Sequence, residues 1–77
     1  MIKEKYPVSE GEFSGKKYKT IDVNGKQRFL SGQFLNKGSL VKYIYNDIVD
    51  DIPESHIHEP SIRRAIKNWI DSENKNS

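Results

Sequence analysis

A small α+β domain is the fold class this sequence predicts, and three observations carry the prediction. Asn24-Gly25, the dipeptide best suited to a two-residue type I′ turn, sits between two strand-like runs, residues 17–23 (KYKTIDV) and 26–30 (KQRFL). Ile62, Ala65, Ile66, Trp69 and Ile70 recur at the three-and-four spacing of one helical stripe. Leu40, Val41, Ile44, Ile48 and Val49 mark a second, broader one. The expected architecture is an N-terminal β-hairpin, or three strands if the N-terminal segment joins it, packed on two main helices with a short helical turn between them. All 77 residues form one domain in this reading. Residues 1–15 are partly irregular and residues 72–77 form a frayed tail.

The elements follow in chain order. In residues 1–15, Pro7, Gly11 and Gly15 interrupt any period, and a short strand over residues 3–8 is confined by Pro7 to a sheet edge. Counting outward from Asn24-Gly25 pairs Val23 with Lys26, Ile21 with Arg28 and Lys19 with Leu30 on one face. Asp22 with Gln27, Thr20 with Phe29 and Tyr18 with Ser31 fall on the other. Neither face is cleanly apolar, and a three- or five-residue loop would shift the register, so the pattern leaves the buried face undecided. A lone hairpin is marginal in water and must pack on the helices. Phe34 and Leu35 in the connection are expected in the core. Ser39 offers an N-cap hydroxyl for a helix over residues 39–50, and its β-branched content means that burial must hold it. Pro53 stops that helix and either opens a single short helical turn through His56 or Ile57 or sits in a loop. Pro60 and Ser61 begin the last helix, with Glu59 placed against its N-terminal dipole. The expected core is Ile21, Phe29, Leu30, Phe34, Leu40, Ile44, Ile48, Ile62, Ile66, Trp69 and Ile70.

Composition sets limits on function. A chain of this length buries only ~60–65% of its unfolded surface, so the core is thin. With no cysteine, no disulfide supports it, and a cytoplasmic location is the expectation. No apolar run approaches the ~20 residues that cross a bilayer, and no apolar segment follows the charged N-terminus, so no membrane role is expected. The Lys/Asn/Ile-rich composition is of the kind encoded by AT-rich bacterial or phage genomes. The net charge of +2 hides an uneven distribution. Residues 1–42 hold nine Lys/Arg against four Asp/Glu, and residues 43–60 hold five acids and no Lys or Arg. The last 17 residues hold four bases against two acids. Two basic regions flank an acidic one, which builds a one-sided basic surface if the fold joins the outer two.

The first candidate site is the basic face of the last helix. Arg63, Arg64, Lys67 and Asn68 are the residue types that contact phosphates and base edges, in the turns a recognition helix presents to the major groove. Over six positions SIRRAI, residues 61–66, resembles the recognition-helix pattern of bacterial helix-turn-helix repressors, a pattern shared by any helix packed on a neighbour. Lys17, Lys19, Lys26 and Arg28, with Lys16, give the hairpin a basic set suited to a wing on the phosphate backbone, or to protecting a sheet edge. Tyr18 and Phe29 share a hairpin face and offer a stacking platform for single strands. These features point to a small nucleic-acid-binding or regulatory protein.

The alternative is a protein-interaction module, such as a small phage-type inhibitor or adaptor, that meets its partner through Asp50, Asp51, Glu54 and Tyr45. Tyr43 and Tyr45 cannot both face inward, so at least one is free for such contact. His56 and His58 stand among carboxylates, yet the ligands crowd within one turn and no cysteine is available, so no metal is expected. No Gly-rich phosphate loop, cysteine nucleophile or serine elbow is present. Neither catalysis nor a cofactor is expected.

Overall fold

The computed structural model describes residues 5–75. Three antiparallel strands, β1 (Ser9–Phe13), β2 (Lys16–Val23) and β3 (Lys26–Phe29), form a meander in the order β1-β2-β3. Helix α1 (Lys37–Val49), a 3₁₀ turn (Glu54–His56) and helix α2 (Glu59–Lys75) follow, which makes the fold α+β. The β2–β3 register is the one counted from Asn24-Gly25: Thr20 faces Phe29, Ile21 faces Arg28, Asp22 faces Gln27 and Val23 faces Lys26. Asn24 and Gly25 both have positive φ, as a type I′ turn demands.

The third strand lies later than expected. Residues 5–8 carry no strand, while residues 3 and 4 of the expected span lie outside the described residues. A second two-residue turn explains the difference. Ser14 (φ 54°) and Gly15 (φ 79°) take the same left-handed pair of conformations as Asn24-Gly25 and fold residues 9–13 back onto β2. Serine rarely takes that position, so the turn is poorly marked in the sequence.

Alternation on the completed sheet decides which face is buried. Ile21 and Val23 point to the helices and join Leu30, Leu40, Val41, Ile44, Ile66 and Ile70 in the core. Each aliphatic side chain fully buried there contributes ~1.5–3 kcal/mol. Ile48, Ile62 and Trp69 are half-buried at its margin. Phe29 and Phe34, expected in the core, are instead exposed by 38% and 56%. Phe29 pairs with Thr20 and so points away from Ile21, and Phe34 follows it onto the outer face.

Their place in the core is taken by Tyr6, only 1% exposed, whose ring centroid lies 6.4 Å from that of Trp69. The Tyr6 hydroxyl donates to the Asp47 carboxylate and Lys5 pairs with Asp51, which ties the N-terminal segment to α1. Burial, then the bond to Asp47, holds the Tyr6 phenol well above its ordinary value near 10. The Asp51 carboxylate, with Asp47 behind it, raises the Lys5 ammonium.

The helix ends also differ from expectation. Asn36, not Ser39, caps α1, its side-chain oxygen accepting from the Ser39 amide at 3.1 Å. An Asx cap three residues earlier takes a first-turn amide of its own and starts the helix nearly a full turn sooner. At the other end, the helix continues through residues 72–75 of the expected tail, while residues 76 and 77 lie outside the described residues. Asn74 donates to the Leu30 carbonyl at 3.1 Å, and Lys19 Nζ donates to the Glu73 carbonyl at 2.9 Å. Lys37 and Asp71 add an ion pair at 2.6 Å between the helices. Among the described residues no helix is long and apolar enough to cross a membrane.

Candidate functional site: the open face and free edge of the sheet

The face of the sheet turned away from the helices is aromatic and nearly uncharged. Register places Ser9, Gly11 and Phe13 of β1, Lys16, Tyr18, Thr20 and Asp22 of β2, and Gln27 and Phe29 of β3 on it. Tyr18 meets Phe29 edge-on, with centroids 5.4 Å apart and planes at 66°. Phe29 meets Phe34 at 5.3 Å. Phe13 is exposed by 62% on the same face. Gly11 makes this arrangement possible. A Cβ there would come within 2.6 Å of the Tyr18 ring, so the missing side chain lets the ring lie across β1. Beneath the rings Thr20 is buried and accepts from the Gln27 amide at 3.0 Å.

A groove of about 290 Å³ continues from this face around β3 to the first turns of α1. Phe29, Phe34, Arg28, Ser39 and Tyr43 line it. Arg28 points to the helix side, where its guanidinium lies 3.8 Å over the Tyr43 ring. Such stacking is worth ~0.5–2 kcal/mol. The Arg28 Nε is buried without a hydrogen-bond partner.

The expected nucleic-acid residues do not gather on one surface. Lys19 reaches α2 and is paired with Glu73, and Arg28 turns to the helix side over the Tyr43 ring, away from the exposed lysines. Arg63 is half-buried, its Nε donating to Glu59 at 2.8 Å and its guanidinium 5.0 Å from the Tyr45 ring centre. Lys17 and Lys26 are exposed but stand near opposite ends of the ladder, about 20 Å apart at the rise of a strand. Arg64, Lys67 and Asn68 are exposed together on α2, with no partner among the described residues. The segment between the two main helices is a three-residue 3₁₀ turn, Glu54–His56.

The expected partner surface is also divided. Asp50 and Glu54 are exposed, whereas Asp51 is held by Lys5. Tyr45 is half-buried beside Arg63, and Tyr43, 39% exposed, is the more open of the two tyrosines. His58 Nδ1 lies 2.6 Å from the Ser61 hydroxyl at the start of α2. Among the described residues no group of three or more His, Cys, Asp or Glu side chains is placed to hold a metal.

Phe13 and Phe34 are site residues that the sequence pattern did not single out beside Tyr18 and Phe29. A signal existed for the first: glycine at position 11 inside a strand marks a close approach, and Phe13 shares its face. Comparison with protein-family models, curated proteins and solved structures finds no match, so the functional reading rests on geometry.

Proposed function

We propose that the protein is a non-enzymatic interaction module that presents Phe13, Tyr18, Phe29 and Phe34 to a partner protein. The observation that carries this reading is the exposure of Phe13, Phe29 and Phe34, with the half-buried Tyr18 ring against Phe29, on a sheet face whose charged strand residues are Lys16 and Asp22 alone. Aromatic enrichment with depleted charge distinguishes the centres of protein interfaces. A phosphate backbone would need several cations on that face. Large apolar side chains exposed together also carry a solubility cost that a bound partner removes. Photo-crosslinking tests the reading. A benzoylphenylalanine at position 34 should give a discrete protein adduct that Phe29→Ser abolishes, and the same probe at position 64 should give none. Adducts at position 64 alone, or to nucleic acid, would overturn it.

A nucleic-acid-binding reading stands second, on the observation that Arg64, Lys67 and Asn68 share an open helix surface without partners among the described residues. A salt titration against duplex and single-stranded DNA addresses it. Each phosphate neutralised adds ~0.9 to the log-log slope on duplex. Absence of binding at low salt removes this second reading.

A further inference from the structure

The sheet has two open edges of opposite charge. On the helix-facing side β1 carries Glu10 and Glu12, while β3 carries Lys26 and Arg28. In an antiparallel ladder, residues alternate between pairs that exchange main-chain hydrogen bonds and pairs that do not. The two-residue turn makes Val23–Lys26 a bonded pair. The Leu30 amide donating to the Lys19 carbonyl at 2.8 Å is in the same phase. Gln27 and Phe29 therefore turn their N–H and C=O groups away from β2, and among the described residues no other backbone group takes them. The groove beside β3 opens next to these groups.

Arg28 adds a charge preference. Lys5, Lys19, Lys37 and Arg63 each have a carboxylate within 4 Å. Among the described residues Arg28 has none that close, though Asp47 and Asp50 line the recess beside it: its guanidinium carbon lies 3.8 Å from the Tyr43 ring centre, with Nε buried and unbonded. A guanidinium placed over a ring leaves its terminal N–H groups for a carboxylate and loses little side-chain entropy on binding it.

We infer that β3 is a receptor edge for an extended acidic peptide segment of a partner, which adds as a fourth strand. Side chains of such a strand alternate between faces. One set meets Lys26 and Arg28, which selects carboxylates, and the other meets Phe29 and Phe34, which selects apolar or aromatic groups. The acceptable sequence is therefore an alternation of acidic and apolar residues. Pairing of two β3 edges from two copies would set Lys26 and Arg28 beside the same cations, so the charges that attract an acidic strand also oppose symmetric self-association. This inference rests on the protein-interaction reading and specifies its partner.

The test uses the full chain, isotopically labelled, and two acetylated, amidated hexapeptides: Ser-Glu-Phe-Glu-Phe-Ser and its counterpart with Lys for Glu. Saturation with the acidic peptide should slow amide exchange at Gln27 and Phe29 at least tenfold. The basic peptide and the Arg28→Gln variant should each bind at least tenfold more weakly, and Arg28→Lys should fall between. Shifts at Tyr18 and Phe34 without protection of Gln27 and Phe29 would overturn strand addition while leaving the aromatic face as the interaction surface. Equal binding of the two peptides, or of neither, overturns the acidic preference, whereas the module itself stands or falls by crosslinking at position 34. Displacement of the acidic peptide by an equimolar ten-nucleotide oligothymidine, or protection of the same amides by self-association without peptide, also overturns the inference.

Discussion

Tyr6→Phe removes one hydroxyl and isolates what holds the N-terminal segment in place. The hydroxyl donates to the Asp47 carboxylate, and a hydrogen bond to a charged group contributes ~1.5–3 kcal/mol. Asp47 keeps some compensation in the variant, because Lys5 lies 3.7 Å away and 19% of the Asp47 side chain is exposed. The expected loss is therefore ~1–2 kcal/mol, out of a total of ~4–12 kcal/mol for a domain of this length. For a small domain each kcal/mol shifts Tm by ~4–8 °C, so a fall of roughly 5–15 °C is expected near neutral pH. Tyr6→Ala, which also empties the ring's place beside Trp69, should cost ~3–5 kcal/mol.

The alkaline limb provides a second readout. The folded phenol titrates above its unfolded value near 10, so its contribution is complete below that pH and is lost as pH rises beyond it. Tyr6→Phe cannot ionise there, and the difference in stability between wild type and variant should shrink above about pH 10. Denaturant unfolding followed by Trp69 fluorescence measures both effects. An unchanged midpoint at neutral pH, together with parallel alkaline limbs, would refute the role given to the Tyr6–Asp47 bond.

Three further outcomes are expected. Gly11→Ala should change stability by less than ~1 kcal/mol, because the strand gains ~0.5–1 kcal/mol from a stiffer residue and loses a similar amount from the displaced Tyr18 ring; loss of Tyr18–Phe29 nuclear Overhauser contacts would confirm the displacement. Asn36→Ala removes the α1 cap and should cost ~1 kcal/mol in urea unfolding. Lys19→Met should cost ~1–2 kcal/mol and raise amide exchange in the last turn of α2, since its ammonium holds the Glu73 carbonyl against the sheet.

The parts of the fold legible in the sequence are those specified locally. Asn24-Gly25 prescribes its own turn geometry, and a two-residue loop permits one register, so every β2–β3 pair could be counted from it. The stripes Leu40–Ile44–Ile48 and Ile62–Ile66–Ile70 needed only helical periodicity. Features that depend on two distant segments were hidden. Tyr6 is a single aromatic beside a proline, and its burial depends on Asp47 and Trp69 arriving from the helices. Phe34 has the composition of a core residue, but it packs on Phe29 on the outer face, where Phe29 in turn meets the Tyr18 ring. The candidate site was half visible: Tyr18 and Phe29 could be placed on one face, whereas the engagement of Lys19, Arg28 and Arg63 with internal partners depends on packing.

The central claim is that the aromatic sheet surface, and not the basic face of α2, contacts the partner. Affinity for the crosslinked partner, measured for the Phe13→Ser/Phe34→Ser and Arg64→Ala/Lys67→Ala double variants, tests it most directly. Interface aromatics that act as hot spots contribute ~2 kcal/mol or more each, so the first variant should bind at least tenfold more weakly while retaining its thermal midpoint. The second should bind within about twofold of wild type, since exposed charges at a rim contribute little. Loss of binding in the Arg64/Lys67 variant with retention in the Phe13/Phe34 variant would contradict the account.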